Sequence, residues 1–502
     1  MGAAVVIVGG LAAYFATRPP ERIVETIEKP VEKTIVQTQV QTIEKPVEKV
    51  VTQTVEKPVE RTIVTTVAGT PTTIVRTETL KETIERTVTS PVVRPTGQIS
   101  LSLHKPPWLP GFQAVISQYE KDNVNAKISL SLEANIVTHR DKEVADALNK
   151  TGIYDIYTMV GLLHASILVY GGHTWPIKEL DSDYKEDPEL IYFDWLYHKG
   201  ELAGLPLNVN NDLLFYRADL FKERGLKKPD TWEDVIEAAK TLHDPSKPIY
   251  GFVPRAADDP IYEWAHILTS FGGDFFVDWK NGDFSVRVND QHGLAAAETF
   301  LELLKYAPPD PITITQSDMI SYMASGKGLQ ALIVYAGTPW MDDPNFSIVP
   351  MKVDFTPPPK GTGLPGVGYG VIDGGSWALG ISKYAKNKEL AYDFAKFCTS
   401  FDAQLTFATL GVAPVRKDVA NLPSLIENPK YRNLKAQGEA LKHMKGSPSF
   451  PEISYIWNPM GKDFIQKLIR ERRPKEVLNW FAEEIYKLLK EKGYKTSWEP
   501  LR

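Results

Sequence analysis

The spacing of apolar residues changes character twice along the chain. Residues 3–15 are almost all apolar and Arg18 follows them. Residues 21–97 alternate Thr, Val and Ile with Glu and Lys and contain no aromatic residue. From about Gln98 onward Trp and Tyr appear, and short apolar runs alternate with stretches of helical period. This pattern predicts strands at 99–103, 127–132, 154–159, 213–216 and 330–335. It predicts helices at 112–122, 143–150, 234–242, 294–304, 389–400 and 474–491. Strands alternating with amphipathic helices argue for an α/β architecture on a parallel sheet.

The first apolar run, at roughly 13 to 15 residues, is shorter than the ~20 that span a bilayer comfortably. No Lys or Arg precedes it and no cysteine lies near it. With a long spacer directly behind it, segment 1–20 is read as a membrane anchor rather than a cleaved signal. Segment 21–97 repeats itself: Ile27-Glu28-Lys29-Pro30-Val31-Glu32 recurs from Ile43 and, with Val, from Val55. Pro30, Pro46 and Pro58 block long helices and central strands. Pairing of the Thr-Val alternation into strands or a multi-chain fibre is one reading. Without aromatics or a second apolar layer, an isolated extended spacer is the expected one. Fully extended it reaches on the order of 200 Å.

Residues 204–232 carry the densest local signals. Gly204 and Pro206 punctuate a turn. Leu213, Leu214 and Phe215 form a short buried run. Gly225 supplies the left-handed residue that ends a helix. Thr231 caps the next helix, with Asp234 in the capping-box position. Trp232, at that cap, is read as structural. The whole string resembles the signature of the extracellular solute-binding proteins of ABC importers, the maltose-binding-like family. The resemblance runs in order through residues 98–502. It includes Tyr119-Glu120-Lys121-Asp122, Tyr154-Asp155-Ile156 with Tyr154 in place of a proline, and residues 326–340, 374–382, 386–394 and 411–416.

The resemblance implies a periplasmic-binding-protein-like α/β fold of type II, two lobes joined by crossover strands with ligand between them. Lobe 1 would comprise 98–208 plus 376–418, and lobe 2 would comprise 209–375 plus 419–502. The crossings would fall near 208–211 and 373–377. An N-terminal anchor and stalk ahead of such a module resemble the archaeal arrangement. The implied function is capture of an extracellular sugar or oligosaccharide at the cell surface and its delivery to a membrane permease.

Composition narrows the alternatives. The chain has 502 residues, 43% hydrophobic, which suffices for a large core. Its net charge is −6 with no basic stripe, so nucleic acid is not an expected partner. Cys398 is the one cysteine, which excludes an intrachain disulfide and cysteine-based zinc sites. The nine His show no ligand spacing; His164 and His173 flank an apolar helix and read as packing or surface residues. No metal and no cofactor is expected. Asn149-Lys150-Thr151 and Asn345-Phe346-Ser347 fit the glycosylation pattern.

A sugar binder needs aromatic faces for C–H surfaces and planar amides or carboxylates for hydroxyl pairs. Trp108 lies in the loop after the first strand, where α/β folds place ligands. Asn208 and Asn210 lie at the first crossing. Asp259 matches the family's hydroxyl-binding carboxylate, with Ile261 where a stacking Tyr is common and Tyr262 as its substitute. Trp340, Trp377 and Trp457 match stacking positions or sit at the second crossing. No nucleophile elbow, zincin motif, Walker loop or dinucleotide fingerprint is present, so no enzyme activity is expected. Paired carboxylates such as Asp258 and Asp259 leave glycoside hydrolysis as a minor reading. A peptide, polyamine or glycerol phosphate is the alternative solute. A stalked adhesion or assembly protein is the alternative class.

Overall fold

The computed structural model describes residues 49–67, 70–88 and 94–502. Segment 1–20, expected to be a membrane anchor, lies outside the described residues. Among them, no helix is long and apolar enough to cross a membrane. By contacts the chain divides after Arg94 into two units, each described by itself below.

The first unit holds a two-stranded antiparallel ribbon. Strand β1 (Lys49–Val67) pairs along its whole length with β2 (Thr70–Val88). This part of the repeat segment is therefore a paired hairpin, not the isolated extended spacer expected. The alternation of β-branched residues suits a pleated ribbon. Pro58 is admitted because both strands of a two-stranded ribbon are edges. Each strand rises about 60 Å over its 19 residues.

The second unit begins at β3 (Gly97–Leu103), α1 (Leu109–Asp122) and β4 (Ala126–Leu132). It continues with α2 (Ile136–Asn149), β5 (Ile156–Val160) and α3 (Gly161–Leu168). After a long connection come β6 (Leu205–Asn208), β7 (Asp212–Arg217), α4 (Trp232–Leu242), α5 (Ile261–Ser270) and α6 (Gln291–Leu303). Then follow β8 (Gln330–Val334), α7 (Thr338–Asp342), β9 (Val353–Thr356) and β10 (Trp377–Ile381). The chain closes with α8 (Lys388–Cys398), α9 (Phe401–Thr409), α10 (Arg432–Leu441), α11 (Gly461–Glu471) and α12 (Pro474–Glu491).

Two sheets anchor two α/β lobes. One has the order β4-β3-β5-β10-β6 and the other β8-β7-β9. β3 runs parallel to β4 and β5, whereas β10 is antiparallel to both β5 and β6. All pairs of the smaller sheet are antiparallel. The purely parallel sheet expected from strand–helix alternation is thus corrected to one mixed and one antiparallel sheet. The reason is connectivity: β10 returns from the other lobe and enters the first sheet from the opposite direction. The chain leaves the first sheet at Asn208 and joins the second at Asp212, only four residues on.

Local chemistry explains the elements. Strand β7 is buried at every position and sits in the middle of its sheet, as its apolar run requires. Pro110 opens α1 where a missing N–H costs nothing. Gly225 takes φ +67°, left-handed as expected. Thr231 caps α4 in a reciprocal box: its hydroxyl accepts from Asp234 N at 3.3 Å and Asp234 Oδ2 accepts from Thr231 N at 3.1 Å. Trp232 is buried, and its indole donates to Ser270 Oγ at 2.7 Å, tying α4 to α5. Cys398 is a buried core thiol. Helix α8 lies on β3 and β10, while α10 covers β7 and β9. Replacing Thr231 by Ala removes one arm of the box and should cost about 1 kcal/mol of stability. A denaturant midpoint for T231A indistinguishable from that of the parent chain would refute this assignment of the cap.

Candidate ligand-binding site

A cavity of about 120 Å³ lies where the two crossings meet. One wall comes from the loop after β3, with His104, Pro106, Pro107 and Trp108, and from Trp377 at the start of β10. The facing wall comes from Asn210, Arg255, Asp259, Tyr262, Gln316, Ala336 and Trp457. Gly374 and Gly375 close one side.

The apolar wall is a packed ring cluster. Trp108 meets Trp377 edge-on at 5.1 Å, and His104 stacks on Trp377 at 5.3 Å with planes 25° apart. On the other side Tyr262 lies 6.4 Å from Trp457, which packs on Phe275 at 5.6 Å. Such rings present flat apolar faces with polar tips, the combination that C–H surfaces flanked by hydroxyls require.

The glycine pair permits close approach. A Cβ on Gly375 would stand 2.5 Å from Asn210 O and 2.7 Å from Tyr262 Oη. One on Gly374 would touch the Tyr262 ring at 3.2 Å. Tyr262 Oη donates to Asn210 O at 3.4 Å, and Asn210 Oδ1 accepts from Ala336 N at 3.0 Å. Asn210 is thereby pinned between the crossing and the end of β8.

The polar wall is acidic. Arg255 Nε donates to Asp258 Oδ1 at 3.1 Å, and Arg255 N donates to Glu263 Oε2 at 2.9 Å. Asp259, at φ +48°, holds the left-handed conformation that Asp tolerates better than most residues. Its Oδ1 is buried and has no hydrogen-bond partner among the described residues. Burial raises the Asp259 carboxyl, Arg255 opposes that rise, and Asp258 adds to it. Burial also raises Asp212, with Arg255 opposing; both its oxygens lack hydrogen-bond partners among the described residues, and His266 Nε2 stands 3.7 Å from Oδ2. Glu263 is pushed well above the carboxylate range by burial and then by Asp212. Beside one guanidinium, burial therefore shifts Asp212, Asp259 and Glu263 toward their protonated forms. His104 is driven down to about 3 by burial and by His139, and is neutral at physiological pH.

The structure brings together Trp108, Asn210, Asp259, Tyr262, Trp377 and Trp457 from five separate stretches of chain. It places Asn208 in β6, buried, opposite Trp377 in register and behind the cavity wall. Both amide atoms of Asn208 lack partners among the described residues. Trp340 lies on α7, half-buried against Phe346 at 5.1 Å, and does not line this cavity. Sequence reasoning missed His104, Arg255 and Gln316. His104 stands four residues before Trp108 in the same loop, and Arg255 three before Asp258. Both spacings were visible, but neither residue type announces a role alone.

The match to a family model settles what the chain is. Residues 105–405 match the model described as bacterial extracellular solute-binding protein. The chain belongs to that family. It is 26% identical over 316 residues to the galactooligosaccharide-binding protein of Bacillus subtilis, covering 61% of this chain and 71% of that one. It is 26% identical over 276 residues to the mannitol-binding protein of Pseudomonas aeruginosa, covering 54% and 61%. Among solved structures it resembles an ABC transporter solute-binding protein from Agrobacterium radiobacter in complex with ribitol. That match has TM-score 0.67 and 24% identity and covers 79% of this chain and 99% of that one. Maltose-bound MalE3 of T. maritima matches with TM-score 0.65 and 20% identity, covering 78% and 100%. The two-lobe fold of type II expected from the sequence is the fold of these neighbours.

Asp373, directly before the glycine pair, generates a pH prediction for this solute-binding protein. Burial raises its carboxyl to about 7, although Ser447 donates its backbone N–H to Oδ1 at 2.8 Å. In the unfolded chain the group ionises near 4. Between these values the folded state keeps a proton that the unfolded state has lost. Its contribution to stability is therefore largest below pH 4 and falls as pH rises to about 7. D373N should flatten that decline by up to about 1.4 kcal/mol per pH unit. Denaturation midpoints across pH 4 to 8 that decline equally in both proteins would contradict the assignment.

Proposed function

We propose that this chain captures a polyol, sugar or oligosaccharide in the interlobe cavity and hands it to an ABC permease. The observation that carries the reading is the convergence of Trp108, Trp377, Tyr262 and Trp457 around the partnerless Asp259 Oδ1. Relatives named for galactooligosaccharide and mannitol, and neighbours holding ribitol and maltose, support that ligand class. In this reading the aromatic rings take C–H faces. Asp259, Arg255 and Gln316 take hydroxyl edges. Asn208 exchanges its missing partners for ligand or solvent as the lobes move.

The cavity is smaller than the roughly 300–1,000 Å³ of an ordinary ligand cleft. Ligand entry then requires the lobes to part, and closure around the ligand is the signal the permease reads. We assign the lobes to 98–208 plus 376–418 and to 209–375 plus 419–502, hinged at the two crossings. Segment 1–20 anchors the chain in the cytoplasmic membrane, and the repeat segment holds the binding module outside the cell. No reaction is catalysed. The acidic surplus around Arg255 favours a second reading, a polyamine or another cationic solute.

A thermal-shift screen of the full chain decides between them. Mannitol, ribitol, maltose and galactooligosaccharides should raise the melting temperature, because a ligand of the folded state stabilises it by mass action. A shift with polyamines alone would replace the sugar by a cation, and a shift with no solute would sink the importer reading. Against the ligand found, Trp457→Ala should weaken binding by on the order of 1–3 kcal/mol. Trp340→Ala, which leaves the cavity wall intact, should leave the affinity within a few-fold of the parent.

A further inference from the structure

Behind the aromatic wall lies a second cluster of chemistry-bearing side chains. Helix α2 presents His139 and Glu143 one turn apart, and α3 brings His164 against them. All three are fully buried. One ligand atom from each, the two imidazole nitrogens and a carboxylate oxygen, can be chosen within 4.8 Å of one another. His139 Nε2 stands 3.0 Å from Glu143 Oε1, and His164 Nε2 stands 3.8 Å from Glu143 Oε2.

The hydrogen bonds divide this cluster into a satisfied half and an unsatisfied half. Glu143 Oε1 accepts from Thr158 N at 2.9 Å and from Ser102 Oγ at 3.1 Å. Glu143 Oε2 and His164 Nε2 have no hydrogen-bond partner among the described residues. At 3.8 Å they are too far apart to bond to each other. A fully buried carboxylate oxygen facing a fully buried ring nitrogen across that gap is costly unless something sits between them.

We propose that His139, Glu143 and His164 form a structural site for a divalent ion of the zinc class. Two imidazoles and a carboxylate are a common ligand set for such an ion, and they disfavour calcium and magnesium. In a tetrahedral zinc centre, with bonds near 2.0 Å, ligand atoms stand about 3.3 Å apart. The His139 Nε2–Glu143 Oε1 distance of 3.0 Å and the His164 Nε2–Glu143 Oε2 distance of 3.8 Å bracket that spacing. His164 Nδ1 accepts from Val160 N at 3.1 Å and lies 3.4 Å from Val160 O, so binding an ion through Nε2 moves the ring proton to Nδ1, toward that carbonyl, and gives up the Val160 N–H bond. Thr158 Oγ1 donates to the Ser102 carbonyl and stands 2.8 Å from His139 Nε2, a contact that an ion on Nε2 would replace.

The site would set the back of the ligand cavity. The His139 ring lies parallel to Trp377, 10° between planes at 6.1 Å, and His104 packs on both rings at 5.3 and 6.0 Å. Trp377 and His104 line the cavity. An ion holding His139 therefore fixes the face of the wall without touching the ligand.

The test uses the full chain. It is unfolded in denaturant with a chelator, then refolded with Zn²⁺ or Co²⁺ and desalted. One ion per chain by elemental analysis, a higher melting temperature and the visible absorption of Co²⁺ in a low-symmetry nitrogen–oxygen site are expected. Glu143→Gln and His164→Gln should each lower the affinity by at least about tenfold. Refolded parent chain without a bound ion would overturn the proposal, and this outcome needs no variant to fold. An ion retained equally by both variants would also overturn it, because the metal would then be held elsewhere. None of these readouts involves a sugar, so they stand or fall separately from the ligand assignment.

Discussion

The two crossings press backbone against side chain with no room to spare. Gly374 and Gly375 lie where any Cβ would strike Tyr262 or the Asn210 carbonyl. This contact sets the width of the cavity floor and brings α5 against the start of β10. Larger residues here would splay the crossings and separate Trp377 from Tyr262. The same pressure recurs at Gly161, whose missing Cβ would fall 2.0 Å from Gly374 O. Three small residues from two distant stretches thus hold one joint closed, and the aromatic walls depend on it.

Electrostatics at this joint are unusual for the inside of a protein. Arg255 is surrounded by Asp258, Asp259, Glu263 and, at longer range, Asp212. Burying so many carboxyl groups with one cation favours the protonated form of Asp259 and Glu263, and a protonated carboxyl both donates and accepts. That suits hydroxyl groups, which also do both. The raised carboxyls of Asp212, Asp259 and Glu263 favour the fold more in mildly acidic than in neutral solution, the reverse of a salt-bridged carboxylate.

Much of the fold was legible because its signals are local. The capping box at Thr231, the left-handed Gly225, the buried run of β7 and helix α12 follow from short stretches of chain. Sheet direction was not legible: nothing near Trp377 says that β10 returns antiparallel, since that depends on where the chain goes between Asn208 and Trp377. For the site, the aromatic and acidic residues were visible through the family resemblance and through their neighbours. His104 and Arg255 were not, because their meaning arises only when distant segments meet. His139 and Glu143 share one face of α2 at a spacing of four, but His164 joins them only through the packing of α3. The spacer was misjudged for a related reason. Composition alone does not say whether a Thr-Val alternation finds a partner, and here the partner lies just beyond Ala68 and Gly69.

That ribbon has a mechanical side. Its register pairs Lys49 with Val88, so both chain ends leave it at the same end. Tension along the chain therefore opens the ribbon as a zipper, loading one rung at a time, rather than shearing all rungs together. Such a hairpin yields at low force. Once open, its 40 residues, from Lys49 through Val88, pay out on the order of 130 Å of slack. A ribbon built this way is short at rest and lengthens under load, and it recovers by re-pairing residues that were never far apart in sequence.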